Sequence, residues 1–226
     1  MRDPGRGRGD ADPPQAAVLL LHGGRADGLE PPSVWNLPGV RMRPFARAVA
    51  RTTAGSGVLL ARVRYRHRGW NGDRGDTTVD ARRALEELTE RVGPVPVVLV
   101  GHSMGARAAL RVAGHPQVRA VVGLASWCPP GEPVEQLRGR RVVLLHGDRD
   151  RTTDPRSSRE LALRGRDAGA RTAWVTVPGG GHMMLRHAAA WHSLTARAVA
   201  GLLELGPLPR EVADGLSGSA SQAREE

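Results

Sequence analysis

The stretch VPVVLVGHSMGARAAL at positions 95–110 decides how this chain folds. A run of valine and leucine leads directly into Gly101, Ser103 and Gly105, and an alanine-rich stretch follows. A short, nearly continuous apolar run is typical of a strand that is covered on both faces of a sheet. Alanine favours helix. The stretch therefore predicts a buried strand, a sharp turn at Ser103, and a helix that starts directly after the turn.

The turn itself has the spacing G-x-S-x-G, which is informative when it lies between a strand and a helix. Such a turn forces the serine into an unfavourable backbone conformation, so that its hydroxyl projects clear of the chain. Glycines two residues on either side let neighbouring segments approach without a Cβ clash. The amides at the start of the following helix favour a developing negative charge. We therefore predict that Ser103 is a nucleophile.

Further apolar runs alternate with stretches of helical periodicity. The predicted strands are Ala16–Leu21, Val58–Arg64, Val95–Val100, Arg119–Ala125, Arg141–Leu145 and Thr172–Val177. Helices are predicted over Thr77–Val92, after Ser103, from Asp154-Pro155 onward, and over roughly His187–Leu205. This alternation predicts an α/β fold with a mostly parallel sheet of about six strands and helices on both faces. Ligands of such sheets bind at the carboxyl ends of the strands, which directs attention to the loops found there.

A serine hydroxyl is a poor nucleophile at neutral pH and needs a nearby base. Of the eight histidines, His182 follows the last predicted strand in a glycine-rich loop, VPGGGHMM. Such a loop can fold the imidazole back over the end of the sheet. His146 and the other histidines are interpreted as turn, helix or packing residues. The sequence therefore predicts His182 as the general base, against the alternative of a loop histidine without a catalytic part.

The acid that orients the base should follow an intervening strand, and VVLLHGDRD offers Asp148 and Asp150. Both satisfy the chain order serine, acid, histidine. We favour Asp150 because it lies further from the strand end and can reach across to His182. Asp148 would then shape the turn, and Asp154 would cap the next helix.

A tetrahedral intermediate also needs amide donors. The first strand ends in LLLHGGRADG, where Gly23 and Gly24 let the backbone approach a substrate carbonyl. We predict that the N–H groups of Gly24 and Met104 form the oxyanion hole. The alternative is that HGG is only a turn that ends the strand.

Composition excludes several other classes of protein. The net charge is +10, but all 33 basic residues are arginine and they are scattered, so a nucleic-acid surface is not expected. The single cysteine, Cys128, allows no intrachain disulfide and no thiolate metal cluster. No apolar run is long enough to cross a bilayer and no export signal is visible, which predicts a cytoplasmic protein without membrane contact. No metal or other cofactor is expected.

Residues 16–205 resemble the α/β-hydrolase superfamily. The resemblance rests on an H-G-x turn at His22–Gly24, the elbow at Gly101–Gly105, a G-x-x-D turn at Gly147–Asp150 and a G-x-H loop at Gly180–His182. It implies a serine, aspartate and histidine triad at the carboxyl end of a mostly parallel sheet. The G-x-x-D form of the acid turn independently favours Asp150 over Asp148.

The chain differs from full-size members of the family in two ways, and both point to a particular group of its smaller members. Only Ser126–Gly139 separates the fourth and fifth predicted strands, which is too short for a lid domain. The family's opening antiparallel strands also have no counterpart. The chain therefore resembles small, lidless esterases and dienelactone-hydrolase-like proteins, although the latter usually have cysteine at the position of Ser103. The arginine-rich segment 62–76 could in addition favour an acidic substrate.

The predicted organisation is a disordered tail over residues 1–14, one α/β-hydrolase domain over 15–205 and a disordered tail over 206–226. The predicted activity is hydrolysis of a small carboxylic ester or thioester through an acyl-serine. The alternatives are an acyltransferase with the same triad, a non-catalytic binding protein on the same fold, and a nucleic-acid binder driven by charge. The oligomeric state is not predicted.

Overall fold

The computed structural model describes residues 13–33 and 35–218 and contains one six-stranded sheet. The strands are β1 (Ala16–Leu21), β2 (Val58–Arg62), β3 (Val97–His102), β4 (Val118–Leu124), β5 (Arg141–Gly147) and β6 (Arg171–Val177). They pair in the order β2-β1-β3-β4-β5-β6, and all pairs are parallel. The strand order reverses at β1, so the loops after β1 and β3 lie side by side at the switch point where such sheets bind ligands.

Six helices cover the two faces of the sheet. They are α1 (Leu37–Thr52), α2 (Asp76–Val92), α3 (Met104–Arg111), α4 (Pro155–Asp167), α5 (Ala188–Leu202) and α6 (Arg210–Ser217). One core contains α2, α3 and α4, and the other contains α1, α5 and α6. Successive residues of β1 alternate between these cores, with Leu19 in the first and Leu20 in the second. The predicted α/β architecture is therefore confirmed.

The strand boundaries differ from the prediction near the elbow. The third strand begins at Val97 and continues to His102, directly before Ser103. Pro96 has no backbone N–H to donate, which accounts for the later start. The strand therefore ends directly at the turn.

Helix α1 was not predicted, because it contains Pro38 and Pro44 and prolines disfavour helix interiors. Pro38 lies in the first turn, where its missing N–H costs nothing. Beyond it, Met42, Phe45 and Val49 are almost completely buried at helical spacing. Burial of this apolar face outweighs the cost of Pro44 in the helix interior.

The C-terminal segment differs from the expected disordered tail over 206–226. Residues 210–217 form α6, which buries Val212 and Leu216 against β6. Its Gly215 lies against Ala173, where a Cβ atom would clash. The segment is helical because its few apolar residues are spaced so that they lie on one face, although its overall composition is polar. Residues 219–226, like residues 1–12 of the expected N-terminal tail, lie outside the described chain.

The connection between β4 and β5 is short, as predicted. Residues 125–140 contain only one 3-10 turn, at Glu135–Leu137, and no lid domain. Over 13–33 and 35–218, no helix combines the length and the apolar character needed to span a bilayer. The connection between β4 and β5 therefore adds no lid over the carboxyl end of the sheet.

Candidate active site

Ser103 occupies the sharp turn between β3 and α3. Its backbone angles, φ 54° and ψ −117°, fall in a region that favours glycine. A non-glycine residue held there costs on the order of 1–3 kcal/mol and persists only when its surroundings enforce it. The surroundings do so: the Ser103 amide donates to Leu124 O at 3.0 Å, and its carbonyl accepts from the Ala106 amide at 3.0 Å. The backbone conformation predicted for the elbow is present.

Gly105 provides the close approach that the elbow requires. A Cβ atom at this position would overlap the carbonyl oxygens of Leu21 and His22 at the end of β1. We expect Gly105→Ala to lower the free energy of unfolding by about 2–4 kcal/mol, because backbone oxygens cannot move aside cheaply. Urea denaturation measures this loss. Gly206→Ala is the matched control, since a Cβ atom at Gly206 meets nothing within 4 Å.

The side chains of Asp150 and His182 meet across the end of the sheet. His182 Nδ1 lies 2.9 Å from Asp150 Oδ2, although 32 residues separate them in the chain. The other carboxylate oxygen, Oδ1, accepts from the amides of Thr152 at 2.8 Å and Thr153 at 3.0 Å. Asp148 instead accepts a hydrogen bond from the Gly179 amide at 2.7 Å. This contact shapes the loop that carries His182, called the base loop below. Of the two candidate acids, Asp150 is the one that contacts the histidine.

The environment of Asp150 keeps its carboxylate ionised. Burial alone would raise the pKa of Asp150. The hydrogen bonds from His146, His182 and the amides of Thr153 and Thr152 outweigh burial and hold the pKa well below its ordinary value. An ionised Asp150 accepts the Nδ1–H of His182 and leaves Nε2 of that ring as the proton acceptor.

His102, the residue before Ser103, is hydrogen-bonded to the base loop and so holds this loop beside the elbow. Its Nε2 donates to the backbone carbonyl of His182 at 3.0 Å, and the two ring centroids are 4.9 Å apart. Burial, with the nearby His182, lowers the pKa of His102 to about 3, so the ring stays neutral. Among the described residues, Ser103 Oγ makes no hydrogen bond to the His182 ring. In ligand-free enzymes this contact is often long and tightens when substrate binds.

Gly24, one of the two residues predicted to supply an oxyanion donor, lies against the side chain of Met104, which is the other. The Met104 side chain and the Arg68 carbonyl fill the space where a Cβ atom of Gly24 would be. Neither the Gly24 amide nor the Met104 amide donates a hydrogen bond to any described residue. Backbone amides without an acceptor are rare in folded proteins unless they face solvent or a ligand. Each of the two amides is therefore without an acceptor among the described residues.

The H-G-x turn at His22–Gly24, which is predicted to supply an oxyanion donor, is held in place by His22. Asn36 Nδ2 lies 3.0 Å from His22 Nε2, and Tyr65 donates its hydroxyl to the His22 carbonyl at 3.2 Å. Burial lowers the pKa of His22, which keeps the ring neutral. The turn is thus tied both to the start of α1 and to the segment after β2.

His146 is a site residue that the sequence analysis missed. Its completely buried ring places Nε2 3.2 Å from Asp150 Oδ2 and Nδ1 2.7 Å from Ser158 Oγ. Thr153 also donates its hydroxyl to Asp150 Oδ2, at 2.8 Å. The available signal was position: His146 is a polar residue near the carboxyl end of a buried strand.

Three of the five arginines in the segment 62–76 pair with acids of the protein itself. Arg66 pairs with buried Asp80, Arg68 with Glu30, and Arg74 with Asp76. The preference of this segment for acidic substrates stays a prediction.

Two tryptophans, Trp70 and Trp127, lie beside Arg107 of α3. Trp70 is buried, and the guanidinium of Arg107 lies 3.9 Å from its ring centroid and 4.6 Å from that of Trp127. Arg107 also pairs with buried Glu132 at 2.7 Å. This cluster braces α3 behind the elbow. Trp35 is 82% exposed and packs into no core.

Cys128 is buried and has no thiolate chemistry available to it. Burial, with the nearby Glu132 carboxylate, raises the pKa of Cys128 to about 12. Because only the thiolate reacts quickly, we expect Ellman's reagent to label native protein at pH 8 at least 100-fold more slowly than protein in urea. Stopped-flow absorbance measures both rates. Equal rates would contradict the buried placement.

The described residues contain no cluster of histidine, cysteine, aspartate or glutamate that could hold a metal ion. The arrangement instead combines a strained serine, a histidine bonded to an ionised carboxylate, and two free amides. These are the parts used in nucleophilic acyl transfer.

Residues 18–145 match the model of the Alpha/beta hydrolase family. An alpha-beta serine hydrolase homologue from Coxiella burnetii is similar in structure, with TM-score 0.63, 14% identity, and coverage of 84% of this chain and 88% of that one. Est1E from Butyrivibrio proteoclasticus gives TM-score 0.59 and 12% identity over 87% and 91% of the two chains. XC6422 from Xanthomonas campestris, described as an a/b serine hydrolase without lid, gives 0.58 and 17% over 88% and 85%. No curated protein matches this chain.

Proposed function

Because the chain belongs to the Alpha/beta hydrolase family, we propose that it is a serine hydrolase that cleaves small carboxylic esters or thioesters through an acyl-serine. Ser103 is the nucleophile, His182 the general base and Asp150 the acid. The observation that carries this proposal is the 2.9 Å hydrogen bond between Asp150 and His182. It forms on a loop that His102 fastens beside the strained serine.

In the first half of the reaction, His182 Nε2 takes the proton of Ser103 as Oγ attacks the substrate carbonyl carbon. The carbonyl oxygen becomes an oxyanion, which accepts from the amides of Gly24 and Met104. The intermediate then collapses. The bond to the leaving oxygen or sulfur breaks, the leaving group takes the proton from His182, and an acyl-serine remains.

In the second half, His182 removes a proton from water, and the hydroxide oxygen attacks the acyl carbon. The bond to Ser103 Oγ breaks, and the serine recovers its proton from His182. The carboxylic acid leaves. Asp150 stays ionised throughout and stabilises the imidazolium each time it forms.

The absence of a lid between β4 and β5 supports small, solvent-accessible substrates. A lidless site leaves the acyl chain no enclosed channel, so we expect activity on 4-nitrophenyl esters to peak at short acyl lengths. The exposed side chains of Leu37 and Leu185, 68% and 70% accessible, offer only an open apolar surface.

The direct test is labelling by a fluorophosphonate, which reacts with activated serines. We expect wild-type protein to be labelled within minutes and His182→Ala to be labelled at least about 100-fold more slowly, because the serine loses its base. His187→Ala is the matched control: it lies five residues further along and contacts neither Ser103 nor Asp150. Rapid labelling of His182→Ala would contradict the role of this histidine.

A further inference from the structure

Arg41 is bonded unlike any other half-buried arginine in the described chain. Its Nη1 lies 2.9 Å from the thioether sulfur of Met183, and its guanidinium donates no hydrogen bond to an oxygen of any described residue. The other half-buried arginines place a guanidinium nitrogen on a carboxylate or a backbone carbonyl, as Arg107 does on Glu132 and Arg140 on Ala113 O. A thioether is a weak acceptor. Arg41 therefore carries a partly desolvated charge without a counterion among the described residues.

The position of Arg41 connects this charge to the proposed site. It lies on α1, whose preceding residue Asn36 contacts His22 of the H-G-x turn. On the other side, its partner Met183 directly follows His182. The first turns of α1 therefore connect the His22 turn on one side with the loop that carries His182 on the other. Burial lowers the pKa of Arg41, and its charge acts on His102 beside the nucleophile.

Exposed apolar side chains lie close to Arg41 in the chain and in space. Leu37 and Val40 precede Arg41 by four and one residues, and both are exposed, at 68% and 40%. Met183, 46% exposed, contacts Arg41 from the loop that carries His182. A substrate with a carbon chain and a negatively charged end would therefore find both an apolar surface and a cation here.

We propose that Arg41 binds a carboxylate of the substrate, so that the preferred ester carries a negative charge on its acyl chain or on its alcohol. This proposal rests on the proposed hydrolase function and names its substrate class. The guanidinium would exchange its sulfur contact for two hydrogen bonds to carboxylate oxygens.

The test compares charged with neutral esters of matched length. One pair is 4-nitrophenyl hemiadipate and 4-nitrophenyl hexanoate, in which the acyl chain carries the charge. The other is 4-acetoxybenzoate and its methyl ester, in which the alcohol carries it. Rates measured with Ser103→Ala are subtracted to remove spontaneous hydrolysis. We expect wild type to prefer the charged member of at least one pair in kcat/KM.

Arg41→Ala should lower that charged-to-neutral ratio about 10- to 100-fold, the range expected for a lost charge-assisted hydrogen bond pair. Arg41→Lys should give a ratio between those of wild type and Arg41→Ala, since lysine keeps the positive charge but cannot donate two parallel hydrogen bonds to one carboxylate. Arg47→Ala, which removes an exposed charge from the same helix, should leave the ratio unchanged. A wild type without preference in both pairs, or an unchanged ratio in Arg41→Ala, would overturn the proposal.

A binding measurement separates this proposal from the hydrolase function. Calorimetry with monomethyl adipate and Ser103→Ala protein should show binding that weakens at least 10-fold when Arg41→Ala is added. If wild type cleaves no ester but this binding and its loss persist, the anion site stands and the hydrolase function fails. If esters are cleaved but monomethyl adipate does not bind, the hydrolase stands and the role of Arg41 fails.

Discussion

Ser103→Ala removes ester turnover, with kcat falling roughly 10⁴- to 10⁶-fold, while the protein keeps its fold. In the proposed mechanism the Ser103 hydroxyl supplies the attacking oxygen, and alanine has no atom to replace it. Alanine meets the same backbone strain as serine at φ 54° and ψ −117°, so the midpoint of thermal unfolding should move by no more than about 2 °C. Initial rates on 4-nitrophenyl acetate and differential scanning calorimetry measure the two quantities.

Ser103→Gly extends this prediction to the backbone. Glycine adopts positive φ without strain, so this variant should be as inactive as Ser103→Ala but more stable, by about 1 kcal/mol. Comparison of the two variants therefore separates the effect of backbone strain on stability from the effect of the lost hydroxyl on activity. A glycine variant less stable than the alanine variant would show that the turn stores no strain.

Ser126→Ala is the matched control for both variants. Ser126 is a buried serine just after β4, and its hydroxyl has no hydrogen-bond partner among the described residues. Its replacement should leave turnover and fluorophosphonate labelling at the wild-type level. Retained turnover in Ser103→Ala, or a comparable loss in Ser126→Ala, would place the nucleophile elsewhere.

The parts of the fold and site that sequence could predict are those encoded locally. The strand before Ser103, the turn and the helix after it are contiguous, so one stretch of sixteen residues contains the pattern that predicts all three. The preference for Asp150 over Asp148 followed from reach and motif spacing, and the hydrogen bond to His182 agrees with it.

The parts that sequence could not predict depend on distant partners. Helix α1 has a proline in its interior, so local propensity opposes it, and only burial of Phe45 and Val49 on the sheet makes it stable. Helix α6 likewise depends on contact with β6. His146 resembles a packing residue until its ring is placed between Asp150 and Ser158. Arg41 is one of 33 basic residues, and only its surroundings distinguish it.

Asp150→Asn should lower kcat about 10³- to 10⁴-fold with little change in backbone structure. The amides of Thr152 and Thr153 can still donate to the remaining oxygen, so the side chain keeps its place. Its new NH₂ group then faces His182 Nδ1 and favours the tautomer that presents Nε2–H to the serine. A ring with a proton on Nε2 cannot act as the base. Initial rates on the same ester measure the loss.

Asp148→Asn tests the competing assignment, because Asp148 contacts the Gly179 amide and no histidine. We expect it to change kcat less than about fivefold, since asparagine can accept the same hydrogen bond. If Asp148→Asn were the crippled variant and Asp150→Asn the active one, the acid would be misassigned.

The pH dependence of stability gives an independent check on Asp150. Its pKa in the folded protein lies below the unfolded value of about 3.9, so the ionised carboxylate stabilises the folded state above that pH. This stabilisation is lost as the pH falls toward the folded pKa. The unfolding midpoint of wild type should therefore exceed that of Asp150→Asn by the widest margin near pH 7, and the margin should shrink below about pH 4. A margin that grows on acidification would mean that Asp150 is not held as a buried carboxylate, and the orientation of His182 would then need another source.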